Sequence, residues 1–214
     1  MKEELFITGW CMIRNGRVIS DRGIDPILEN FANFAGFIKA LYRKEQVSYP
    51  KFFKMDSLSK LGFLCAELAL RGSRVPGSYR EEEIGVVISN SASSLDTDLA
   101  YFDTIKDKNS YFPSPSVFVY TLPNILIGEI CIRHRIKGEN AFFVSEKFDP
   151  ELLAGYAGEL MESGRSKAVL FGWVEKLKDE YEAVLFIVEK ETTALDAGTR
   201  FTPENLKQIY QNKG

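Results

Sequence analysis

One histidine in 214 residues is the first shortage, and it removes much chemistry at once. Zinc centres and imidazole-based acid–base machinery need several histidines or clustered cysteines. Here His134 stands alone, and Cys11, Cys65 and Cys131 are odd in number, far apart and set among apolar residues. Such a set gives neither a disulfide framework nor a metal site and reads as reduced thiols in a core. No metal and no cofactor is expected. Cationic excess is missing as well: the net charge is −3, which offers no field for a phosphate backbone and excludes nucleic acid as a partner. Long apolar runs are absent, the stretch 183–188 falling far short of the roughly 20 residues that a membrane span needs. The start, Met1-Lys2-Glu3-Glu4, has neither the basic opening nor the apolar stretch of a secretory signal, so a cytoplasmic location is expected.

What is present suits one globular domain over residues 1–214, with 45% hydrophobic residues to build its core. A short apolar strand, 5–12, runs into the turn pair Asn15-Gly16. Helical spacing follows over 26–42, through Ile27, Leu28, Phe31, Phe34, Ile38 and Leu41. A second helix over 58–70 has Asp56 and Ser57 as its start and Gly72 as its stop. The run 84–89 is apolar throughout, as in strands buried on both faces. Leu95, Leu99, Phe102 and Ile105 then mark a helix. The alternation repeats with strand 142–144, helix 152–161 stopped by Gly164, and strand 168–171. That last strand pairs with 183–188 as a hairpin turning at Lys178-Asp179-Glu180. Thr202 and Pro203 open a closing helix to Tyr210. The sum is a three-layer α/β domain: a mixed, mostly parallel five-stranded sheet with helices on both faces and one antiparallel strand at its edge.

The informative segment is Ser114-Pro115-Ser116-Val117-Phe118-Val119-Tyr120-Thr121-Leu122-Pro123-Asn124, followed by Gly128-Glu129, Ile132-Arg133 and Lys137-Gly138. It resembles the stretch before the nucleophile of β-ketoacyl-acyl carrier protein synthases, which are thiolase-like enzymes. Thr8-Gly9 is similar to that family's first strand, Met55-Asp56 opens a helix as there, and Leu95-Asp96-Thr97-Asp98 follows the strand 85–88 in the family's order. Ser163-Gly164-Arg165 and the strand 168–175 resemble its later glycine-rich strand. The resemblance covers nearly the whole chain and implies the family's N-terminal half, the family chain being about twice as long.

The family's chemistry, as the resemblance implies, needs a cysteine thiolate to carry an acyl chain and two histidines to promote decarboxylation. The cysteine lies three residues after the serine of a Val-Ser pair. Here Val144-Ser145 is followed by Glu146, Lys147 and Phe148, and the resemblance places both histidines in a second half that is expected to be missing. A phenyl ring cannot attack a thioester, so the expectation is a degenerate, non-catalytic chain. The remaining candidates read as structural: Cys131 as core, His134 at a basic helix end facing the negative end of its dipole or solvent, Ser89, Ser91, Ser93 and Ser94 as turn and cap residues, and Asp96 and Asp98 on different sides of a helix. The resemblance further implies a subunit of chain-length-factor type. Such a subunit pairs with a full-length ketosynthase in fatty-acid, polyene or polyketide-like synthesis, acyl carrier protein approaches the pair, and Phe148 points toward the acyl tunnel. The alternative is a self-associating scaffold or a protein binding acyl or small ligands. A lone half is also expected to leave apolar helix faces for a partner to cover.

Overall fold

The computed structural model describes residues 4–24, 31, 33–71, 73–190 and 198–212. Strand β1 (Leu5–Arg14) turns through Asn15 and Gly16, both in the left-handed region, into β2 (Arg17–Ser20) and then β3 (Gly23–Ile24). Helix α1 (Phe34–Lys44) starts where the Asn33 side chain accepts the Gly36 N–H. The helical spacing therefore holds from Phe34 onward, Ile27 and Leu28 lying outside the described residues. Asp56 caps α2 (Ser57–Leu70) with one carboxylate oxygen and takes the Thr97 hydroxyl on the other at 2.7 Å. The expected stop at Gly72 lies outside the described residues.

A short helix, α3 (Val75–Ser78), leads to β4 (Ile84–Asn90), which is buried along its whole length. Then come α4 (Leu95–Asp103), α5 (Pro115–Phe118), α6 (Ile125–His134), β5 (Asn140–Val144) and α7 (Pro150–Glu162). Asp149 caps α7, Pro150 takes its first position, and Gly164 stands just past its end with φ of 76°. The long strands β6 (Ala168–Leu177) and β7 (Glu180–Lys190) are joined by two residues, Lys178 adopting φ of 53°. The chain finishes with β8 (Thr199–Arg200) and α8 (Pro203–Gln211), whose cap is Thr202.

All eight strands form one sheet, in the order β3-β2-β1-β7-β6-β4-β5, with β8 beside β1. The expectation of five strands is thus corrected, β2, β3 and β8 extending the sheet beyond β1. A second correction concerns the antiparallel strand. The two-residue connection forces β7 alongside β6, and β1 then pairs with the other side of β7, so the reversed strand is interior and not at the edge. Strands β1, β4, β5 and β6 run one way and β7 opposes them.

Period-two alternation divides the core. Leu170 and Val174 of β6 face α1, α2 and α6, while Val169, Phe171 and Trp173 face α7 and α8. In β1 a bulge between Ile7 and Gly9 resets this parity, which is why Ile7 belongs to the α7 face and Cys11 and Ile13 to the α2 face. Gly172 is required by close approach. A β-carbon there would lie 2.0 Å from the Val184 carbonyl oxygen, and its φ is 154°.

Candidate functional site

Open α/β sheets bind ligands beyond the carboxyl ends of their parallel strands, so the ends of β4, β5 and β6 are the place to look for chemistry. The polar groups there bind each other. Glu175, at the end of β6, accepts on a single oxygen from the Ser91 N–H at 2.7 Å, the Ser91 hydroxyl at 2.6 Å and the Ala92 N–H at 3.2 Å. Asn90 closes the same turn by accepting the Ser93 N–H and donating to the Ser93 carbonyl. The Ser94 hydroxyl donates to the Thr121 carbonyl and meets Asp98, whereas Asp96 takes Lys176 and the Lys178 N–H from the neighbouring hairpin. Asp96 and Asp98 therefore serve different contacts, and Ser91 and Ser93 lie in the turn as their spacing predicts, whereas Ser89 is inside β4 with its hydroxyl toward the Gly172 carbonyl and Ser94 stands at the start of α4 without a side-chain cap bond.

Phe148 precedes the Asp149 cap of α7, which accepts the Leu152 N–H at 3.0 Å. Its ring is 7% exposed and belongs, with Leu153, to the core under α7, an N′-to-N4 staple across the helix start. It stacks on Tyr210 of α8, ring centres 4.2 Å apart, and lies 6.4 Å from Phe186. Tyr210 is itself held by the Glu182 carboxylate, to which it donates at 2.7 Å, and by the Arg14 guanidinium over its ring. Burial and then the Glu182 carboxylate push its phenol well above the ordinary range. Phe148 is thus held in the core and covered by the ring of a helix that lies far along the chain.

The other nucleophile and base candidates are elsewhere. Cys11 and Cys65 are fully buried on the opposite face of the sheet. Cys131 is half-buried on α6, and burial pushes its thiol up to about 11. His134 does not face solvent: it sits beside Glu67, 3.4 Å away, and burial pushes its imidazole below its ordinary value. Among the described residues no three His, Cys, Asp or Glu side chains gather as a metal site.

The motif residues build scaffold. Ser114 accepts the Val117 N–H at the start of α5 and Pro115 follows as its first residue. Pro123 and Asn124 lead into α6, the Asn124 side chain making no cap bond. Glu129 is buried, accepting from the Tyr120 hydroxyl at 3.0 Å and pairing with Lys51 at 2.9 Å. Gly128 leaves open space on the outer face of α6, where an added β-carbon would meet nothing within 4 Å.

That outer face reveals what sequence reasoning missed. Leu95, Leu99 and Phe102 stand on one side of α4, exposed, and Phe112, Phe118, Val119, Leu122 and Ile132 are exposed on the segments that follow. Helices α4, α5 and α6 touch in series through the turn at 119–121, and α6 packs on β4. Beside β4 lies β5, which has no strand on its outer side among the described residues and ends in an exposed Val144. The expected apolar exposure is real but sits here. Over α7 the outward positions are Glu151, Gly155, Glu159 and Glu162, and α8 buries Leu206 against that side. The i, i+4, i+7 spacing of α4 was a readable signal for an apolar stripe, but not for the direction in which it faces.

The sequence matches no protein-family profile and no curated protein. Solved structures do resemble it. The ishigamide ketosynthase/chain length factor superposes with a TM-score of 0.66 at 19% identity, covering 90% of this chain and 64% of that one. A type II polyketide synthase ketosynthase bound to its acyl-carrier protein, AntDE:AntF, gives 0.62 at 16%, covering 89% and 64%. The ketosynthase ApeO in complex with its chain length factor ApeC, from Xenorhabdus doucetiae, gives 0.57 at 16%, covering 98% of this chain and 91% of a chain in that complex. The chain spans less than two thirds of the first two and nearly all of the third. Its fold is the one seen in these ketosynthase and chain-length-factor structures.

Proposed function

We propose that this protein is a non-catalytic ketosynthase-like subunit of chain-length-factor type, pairing with an active ketosynthase in fatty-acid, polyene or polyketide-like synthesis. The observation that carries the reading is the apolar face on α4, α5 and α6 beside the unpaired edge of β5. Residues such as Phe112, 76% exposed, and Ile132, 62% exposed, are costly to leave in water, and a contiguous apolar surface is the signature of an interface. An exposed strand edge adds unused backbone donors and acceptors that a second sheet would satisfy. Phe148 supports the non-catalytic half of the proposal, because its ring, sealed beneath Tyr210, leaves no thiol and no room for one to be reached. With Phe148 in the core, shaping of an acyl tunnel falls to the residues at the partner face. The acyl carrier protein then meets the pair through the active ketosynthase, as one would meet the ketosynthase in the similar carrier-protein complex.

Co-expression with a full-length ketosynthase from the same genome tests the proposal. A stable heterodimer by size-exclusion chromatography with light scattering is expected, together with no condensation product from acyl and malonyl carrier-protein thioesters when this chain is alone. A homodimer indifferent to ketosynthases would favour the scaffold reading, and product from the isolated chain would overturn the non-catalytic one.

A further inference from the structure

Two of the three cysteines meet across the core. Cys11 of β1 and Cys65 of α2 are both fully buried, and the Cys65 thiol donates to the Cys11 carbonyl oxygen at 3.2 Å. The closeness comes from small residues on both elements. Gly9 lies two positions before Cys11 on the same face of β1, and Ala69 lies one helical turn beyond Cys65. A β-carbon at Gly9 would already stand 3.2 Å from the Ala69 carbonyl oxygen, so helix and strand approach backbone to backbone here. Disulfides require such proximity, with α-carbons usually about 4.4–6.8 Å apart.

We propose that Cys11 and Cys65 are a disulfide-forming pair, a modification site that locks β1 to α2 when the protein meets a two-electron oxidant such as hydrogen peroxide. The chemistry balances in two steps. One thiol, as its thiolate, attacks a peroxide oxygen; the O–O bond breaks, a sulfenic acid forms and the released hydroxide leaves as water. The second sulfur then attacks the sulfenic sulfur, the S–O bond breaks, the S–S bond forms, and its thiol proton departs with the hydroxide as a second water. The neighbouring Cys65 thiol, which favours the protonated form, and then burial push the Cys11 thiol up, so thiolate is scarce in the closed state. Oxidation accordingly proceeds through transient opening of this region, slowly and faster at higher pH. Cys131, on α6, has no part in it. The bond would close a loop between residues 54 apart, long enough to stiffen the chain's first third.

The test is peroxide treatment of the native full-length chain, followed by denaturation, alkylation and mass spectrometry. The expected product is a linked peptide pair containing Cys11 and Cys65, lighter by two hydrogens than the free pair, reversible by dithiothreitol, with Cys131 alkylated. Its rate should stop rising with peroxide once opening limits it, and the oxidised protein should unfold at a higher temperature than the reduced one. Cys131→Ala should retain the crosslink; Cys65→Ala, a small apolar replacement that the site accommodates, should abolish it. Incubation beyond complete exchange of the core amides with both thiols still alkylated, sulfinic acid on either cysteine without a crosslink, or linkage through Cys131 would each overturn the proposal.

Discussion

At Phe148, where the resemblance to β-ketoacyl synthases implies their cysteine, the ring stacks on Tyr210 and staples the start of α7, which makes this a core position. Truncation to alanine is expected to cost about 3–5 kcal/mol, read from denaturant unfolding, because little around the site can collapse into the space. Restoring the family's residue should not restore its chemistry. A Phe148→Cys variant is expected to react with iodoacetamide far more slowly than an exposed thiol and to take up no acyl group from an acyl carrier protein, both checked by intact mass. Glu175 is a second residue whose role is local. With three donors on one oxygen, Glu175→Ala hands the Ser91 and Ala92 amides to water, and a loss of about 0.5–1.5 kcal/mol is expected.

Elements meet their limits where two backbones touch. Gly172 lets β6 lie against β7, and Gly172→Ala forces a methyl into the Val184 carbonyl in a backbone region that side chains avoid. A loss of about 1–3 kcal/mol or more is expected, with amide exchange rising along both strands. Helix α4 should behave in the opposite way. Leu99→Asp with Phe102→Asp places charge on an exposed stripe, so the thermal midpoint of the isolated chain should hardly move while co-purification with a ketosynthase is lost. Equal loss of both would mean that the stripe is internal packing and not an interface. Helix boundaries were legible in the sequence because their causes are local: Asp56, Gly164 and Thr202-Pro203 act within one turn of chain. The place of the antiparallel strand was not. The hairpin at Lys178 was readable, but the pairing of β1 with the far side of β7 depends on residues nearly the whole chain apart.

For the molecule as a whole, acid stability depends on ion pairs around the start of the sheet. Lys167 and then the Arg80 backbone and side chain hold Glu83 down to about 2, from an ordinary 4.5. A carboxyl depressed in the folded state contributes stability that is fully present above about 4.5 and is lost as pH falls toward about 2. Unfolding midpoints measured through that window should fall less steeply in Glu83→Gln than in the parent, and 1 M salt should narrow the difference, since the partners Arg80 and Lys167 are exposed. The burial of Phe148 is legible only at this scale. Its sequence neighbours announce a helix cap, and the ring that covers it comes from the last helix. The same distance has a consequence for synthesis on the ribosome. Strand β1 leaves the exit tunnel first, yet its partner β7 spans Glu180–Lys190 and emerges near the end. Until then β1 has only the short β2 hairpin beside it, while β4, β5 and β6 can already associate as a parallel unit. The newborn chain therefore holds an unsatisfied β1 until β7 emerges, and the arrival of β7 joins two separately formed parts of the sheet in one event.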